Sequence, residues 1–310
     1  MTIKDKYPDQ TRRRFLAAGL SAGALLTLPG QLRAAGGQTD IRALAFDGDT
    51  LLAAGATMMT STDGGRSWTE RAIPSPVSSL ATHRARPGRV LAGLSEGGVI
   101  LSDNGGATWT SRGDQLASGD VTALAVAAGD PDMFYAAIRG DGLWKSENAG
   151  ASWSFVMDRP WLNDAERDPL TLASVELESG MGGIWIYAGT ETGLIRVPDC
   201  FCRWQDVQPG NAMDALVAGN APPEEAPLPT DEPVLSLVSA ASSPATLYAA
   251  LPSGVWSSQD GGVVWVQLAG GQARAVAVHP SDENYVAAII EGNLKLSRDG
   301  GATWTAIAAA

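Results

Sequence analysis

The chain has 310 residues, among them 36 Gly, 10 Trp, 2 Cys and 2 His, and a formal net charge of −12. Length allows one large domain or two average ones, and 45% hydrophobic residues suffice for a sizeable core. The acidic balance argues against nucleic acid as a partner, since phosphate binding needs a Lys/Arg surface. Two Cys and two His exclude a Cys- or His-rich zinc framework. No apolar run reaches the ~18 residues of a membrane helix, so no transmembrane helix is expected in the mature chain.

Residues 1–35 read as a twin-arginine export signal. Thr11-Arg12-Arg13-Arg14-Phe15-Leu16 is followed by a weakly apolar Gly/Ala-rich stretch, Leu16 to Gly30, and by small residues at Ala34-Ala35. The reading implies the twin-arginine machinery as an export partner, a soluble periplasmic destination and folding before export. Removal of the signal deletes six basic and two acidic residues and takes the formal charge from −12 to −16.

Residues 36–310 carry an internal repeat. Ser61-Thr-Asp-Gly-Gly-Arg-Ser-Trp68 recurs at 102–109, 146–153, 258–265 and 297–304, and a degenerate copy, Val197-Pro-Asp-Cys-Phe-Cys-Arg-Trp204, keeps the Asp and the Trp. The acidic or amide position is Asp63, Asn104, Asn148, Asp199, Asp260 and Asp299; the closing ring is Trp68, Trp109, Trp153, Trp204, Trp265 and Trp304. An Asp or Asn here accepts backbone N–H bonds of a tight turn, Gly supplies the positive φ, and Trp starts the next strand and buries its ring. Burial of one Trp hides roughly 150–250 Å², a gross gain of about 4–6 kcal/mol. These residues are therefore structural rather than catalytic.

Each repeat sits in a fixed pattern. An alternating apolar strand is followed by a short turn, a second strand with a Tyr or large apolar residue, a third strand running into the turn, and a fourth beginning at Trp. Four short antiparallel strands per repeat describe a propeller blade. The sequence thus predicts an all-β, six-bladed β-propeller with blades at about 41–70, 77–111, 121–155, 171–206, 234–267 and 273–307. Because a first strand opens the chain and a fourth ends it, blades one and six are expected to meet without exchanging a strand.

The eight-residue string resembles the Asp-box of BNR/sialidase-type repeats. The strand phrase before it, as in Phe134-Tyr-Ala-Ala-Ile and Gly142-Leu-Trp-Lys-Ser146, is similar to that of photosystem II stability/assembly factor-like propellers and of sortilin- and xyloglucanase-type relatives. The resemblance implies the propeller fold and either a protein-binding or a glycan-cleaving role. Sialidases of this kind use a Tyr nucleophile, an Arg triad and an Asp acid/base. Here Tyr135, Tyr187, Tyr248 and Tyr285 all fall in second strands as packing residues, and Arg71-Ala-Ile-Pro74 and Arg196-Val-Pro198 are misplaced echoes of the Arg-Ile-Pro motif.

Both long insertions, 154–171 and 205–233, connect blades and so fall on the face opposite the repeated turns. Trp161 is the only Trp outside the strand-and-turn pattern. The Pro- and Glu-rich 221–233 stretch reads as a mobile, extended acidic arm. With Arg159, and with Glu96, Arg139, Asp141, Glu191 and Glu291 from short loops of the same face, Trp161 forms the candidate binding set. His83 and His279, at equivalent repeat positions, read as turn-stabilising. Cys200 and Cys202 leave three readings open: a disulfide outside the cytoplasm, separate thiols or a bridge to another chain, or a soft-metal or redox site. No catalytic residues and no cofactor are predicted apart from a metal at those cysteines. The reading that follows is an exported, non-catalytic propeller that binds a protein partner, as an assembly or accessory factor for a membrane or redox complex. The alternatives are a hydrolase or lyase using loop-face carboxylates, and a redox or metal accessory protein using Cys200 and Cys202.

Overall fold

The structure is a computed structural model that describes residues 40–177, 183–208 and 225–307. The export signal expected at residues 1–35 lies outside the described residues. Six four-stranded antiparallel sheets follow in chain order, each strand paired with the next. They run from Ala43–Asp47 to Thr69–Arg71, Val77–Thr82 to Thr110–Ser111, Val121–Ala127 to Ser154–Met157, Thr171–Glu176 to Gln205–Asp206, Ser236–Ala240 to Val266–Gly270, and Ala273–His279 to Thr305–Ala306. The first strand of each sheet neighbours the first strand of the next, and that of the sixth returns to the first. This is a six-bladed β-propeller, with the first strands around the central channel. Among the described residues no strand is shared between blades one and six. Their junction is apolar: Leu44, Phe46, Leu51, Tyr285, Ile289 and Leu296 pack in one cluster.

The repeated turns show why the motif needs its residues. Ser61 Oγ accepts the Gly65 N–H at 2.7 Å and Asp63 Oδ1 the Ser67 N–H at 2.9 Å. The same two bonds recur from Ser102 and Asn104, Ser146 and Asn148, Ser258 and Asp260, and Ser297 and Asp299. The glycine whose N–H donates to the Ser hydroxyl has φ of +83° in blade one, a conformation L side chains avoid. Of the six closing rings, Trp153 and Trp265 are buried. The other four are half-buried and pack against the apolar clusters between blades.

Blade four is held differently. Val197 has no hydroxyl, and Asp199 turns away from its own loop to accept the Tyr135 hydroxyl at 2.7 Å and pair with Lys145 at 3.4 Å, both in blade three. The turn is closed instead by a Cys200–Cys202 disulfide. Phe201 sits between them at φ +52°, where the other blades carry Gly. Its ring packs against Tyr135.

Adjacent blades are tied by polar groups as well as by apolar packing. A first strand is a sheet edge, and its unpaired N–H groups need acceptors. Hydroxyls of neighbouring blades supply them: Ser79 to Leu124, Ser174 to Ala128, Thr171 to Leu237 and Ser236 to Val276, at 3.0–3.2 Å. The second-strand tyrosines do similar work. Tyr135 reaches Asp199, Tyr187 donates to Gly261 O and Tyr248 to Glu283 O, each in the following blade. Burial pushes the Tyr248 hydroxyl up to about 12 and raises those of Tyr135 and Tyr187, as expected of packing groups and not of nucleophiles.

The second insertion departs from the extended, mobile arm expected of its composition. Its 209–224 portion lies outside the described residues. The remainder docks on the propeller: Ala226 bridges Val264 in parallel, Leu228 is buried in the blade four–five cluster, and Glu232 accepts the Ser253 N–H at 2.8 Å. One buried leucine among prolines, with a main-chain bridge and a capped N–H, is enough to anchor a stretch that forms no regular strand.

Candidate functional site

Strand alternation places the loops between second and third strands, and the connections between blades, on one face. The connection after blade three is built there as a small hairpin, Trp161–Leu162 paired with Ala165–Glu166. Asn163 and Asp164 both have positive φ, of 50° and 60°, the geometry of a two-residue type I′ turn that these residue types tolerate. The Asn-Asp pair is the local signal by which such a turn can be found, but in the sequence only Trp161 stands out there. Side chains alternate across a strand: Leu162 packs into the blade three–four core, so Trp161 faces outward, 65% exposed.

Ion pairs and hydrogen bonds pin this hairpin to both blades. Arg159 bonds Glu166 and lies 3.5 Å from Asp168. Asp168 accepts the Gly140 N–H of blade three at 2.8 Å, and Arg167 reaches Glu191 of blade four at 3.9 Å. Pro160 and Pro169 are buried at its two ends. Trp204 Nε1 donates to Asp158 O at 2.9 Å, joining the disulfide-closed turn to the start of the insertion.

The candidate set divides accordingly. Trp161, Arg159 and Glu191 come together around the hairpin. Arg139 pairs with Asp120 at 3.1 Å, and Asp141 accepts the Trp144 indole N–H at 2.6 Å; both serve the blade-three loop. Glu96 accepts the Ser75 hydroxyl in blade two, and Glu291 lies 3.9 Å from Lys295 in blade six. Those two belong to their own loops and not to one site with Trp161.

An open cleft of about 800 Å³ adjoins the hairpin, lined by Trp161, Arg159, Trp204, Arg203, Arg196 and Gln208 among others. Trp204, Arg203 and Arg196 did not stand out in the sequence: the first reads as scaffold, and the arginines fall in a strand and a turn. The central channel is smaller, about 200 Å³, and lined by first strands. Among its described lining residues Glu176 is the one carboxylate. A glycosidase-type mechanism asks for two carboxyl groups across a cleft, which this lining does not offer.

His83 and His279 share one geometry. Nδ1 accepts the N–H two residues on, from Ala85 at 3.1 Å and Ser281 at 3.3 Å; Nε2 reaches the next blade, to Ala128 O at 2.9 Å and Asp49 at 3.0 Å. They brace turns. Among the described residues no group of three His, Cys, Asp or Glu is placed to hold a metal ion. Of the three readings of Cys200 and Cys202, the intrachain disulfide is the one this structure contains; sulfurs bonded to each other present no thiolate to a metal.

No protein-family model and no curated protein sequence matches the chain. Solved structures do resemble it. The GH74 enzyme of Niastella koreensis is similar with a TM-score of 0.60 at 17% identity, over 88% of this chain and 46% of that one. The GH74 xyloglucanase of Xanthomonas campestris gives 0.53 at 17% identity, over 85% and 45%. YCF48 bound to D1 peptide gives 0.50 at 16% identity, over 86% and 81%. The chain spans under half the length of those GH74 structures. At these identities the likeness shows the fold: the molecule is a β-propeller, of a kind found both in glycoside hydrolases and in a peptide-binding protein.

Proposed function

We propose that this chain is a non-catalytic propeller that binds a protein partner through the face carrying the Trp161 hairpin, after export by the twin-arginine route to the periplasm. There it acts as an assembly or accessory factor for a membrane or redox complex. The observation that carries the reading is Trp161 itself, a large apolar ring 65% exposed on a hairpin held in place by a hydrogen bond to blade three and an ion pair to blade four. A pre-organised aromatic anchor contributes most where binding need not order it first. The YCF48 structure solved with a peptide supports the binding reading, and the described channel lining holds a single carboxylate. The test is co-purification of the tagged chain from its own cells. Trp161→Ala is expected to weaken retention of a partner at least about tenfold without changing thermal stability, while Arg66→Glu on the opposite face has no effect. Equal losses from both variants contradict the reading.

A further inference from the structure

The cleft beside Trp161 differs in charge from the rest of this acidic chain. Its described lining contains three arginines, Arg159, Arg196 and Arg203, against one carboxylate, Asp206. Arg159 is neutralised by Glu166 and Asp168. Arg203 is exposed and has no ion pair among the described residues. Arg196 is 8% exposed and also has no carboxylate partner there. Its guanidinium lies 4.3 Å from the Trp185 ring, donates to the Tyr187 hydroxyl at 3.0 Å and to Gln208 O at 3.2 Å, and leaves Nε buried without an acceptor. A buried cation supported by neutral acceptors and aromatic faces keeps an unmet demand for negative charge. Two uncompensated arginines and two tryptophans on one cleft have the composition of an interface hot spot rather than of a solvated loop.

The cleft also borders the outer sheet edge of blade four. Gln205–Asp206 is the outermost strand of blade four, and among the described residues no further strand pairs with it. Main-chain donors and acceptors along such an edge suit an extended polypeptide, which adds a strand and sets its side chains in neighbouring pockets. A polysaccharide has no matching backbone.

We propose that the cleft between the Trp161 hairpin and the outer edge of blade four binds an acidic, extended polypeptide segment: an apolar or aromatic side chain stacks between Trp161 and Trp204, and its carboxylates meet Arg203 and the Arg196 end. The inference rests on the partner-binding reading and specifies the partner's chemistry. It also fits a chain that elsewhere repels acidic segments, so that capture is confined to one place.

Panning a displayed library of random twelve-residue peptides against the purified full chain tests this directly. The expected result is enrichment of Asp and Glu next to aromatic or aliphatic residues. Both Arg203→Glu and Trp161→Ala should lower the affinity of the selected peptides at least about tenfold while the fold, followed by near-ultraviolet circular dichroism, stays intact. Selected peptides without acidic enrichment, no selected peptides, or peptides indifferent to Arg203→Glu overturn the proposal. Oligogalacturonate bound more tightly than the selected peptides, and lost on Arg203→Glu, overturns it in favour of an anionic polysaccharide. If the acidic chemistry fails while Trp161→Ala still abolishes co-purification of the native partner, the partner-binding reading stands and only this inference falls.

Discussion

Asp63 and Asp299 show what a single side chain contributes to the repeat. Each accepts the N–H and the hydroxyl four residues on, and these hydrogen bonds to the charged form hold both carboxyls down at about 2. A carboxyl whose folded pKa is depressed contributes stability that is present above its unfolded value, near 3.8, and that is lost as pH falls through about 2. Unfolding in urea between pH 5 and 2 should therefore show stability falling across that window. The double variant Asp63→Asn/Asp299→Asn should be less steep there, because Asn keeps the N–H acceptor, as Asn104 and Asn148 already do, and does not titrate. An unchanged slope contradicts the assignment. Trp265, buried with its indole N–H on Gly262 O, is the opposite case: Trp265→Ala should cost about 3–5 kcal/mol, measured by the same unfolding, while Trp161→Ala should cost almost nothing.

Among the elements, the blade-four turn is the instructive exception. The sequence marked it as degenerate and paired its cysteines only as one of several options. The structure explains the residues together: Asp199 serves blade three, the hydroxyl is missing at Val197, and a disulfide closes the loop in place of the two hydrogen bonds. Reduction, or Cys200→Ser/Cys202→Ser, is expected to lower stability by about 1–2 kcal/mol by the chain-entropy argument for so short a loop. The increase in hydrogen exchange should be concentrated around 198–206. Exchange unchanged there means the clip does not hold the turn. The strands and turns of the other blades were legible because period-two alternation and the Asp-Gly-Gly-type punctuation are local. The hairpin at Trp161 was legible only as an out-of-pattern Trp, since two-residue strands carry too little periodicity to read. The cleft was not legible at all: Arg196, Arg203 and Trp204 are brought to Trp161 by the docking of one blade on the next, which no short-range pattern encodes.

For the whole molecule, the ring depends on a junction with no strand shared among the described residues. Phe46 packs across it, edge-on to His279 and tilted against Tyr285, which themselves stack, so Tyr285→Ala should open blades one and six to hydrogen exchange before the other four. That junction joins the two ends of the described chain, whereas the proposed site spans blades three and four. Ring closure and binding are thus separable by mutation. The central claim concerns which face meets the partner. A photocrosslinking residue placed at Trp161, and separately at Arg66 among the repeated turns, tests it in cells. A discrete adduct with one protein from position 161 and none from 66 is the predicted result. An adduct from 66 alone, or none from 161 while a partner still co-purifies, contradicts it.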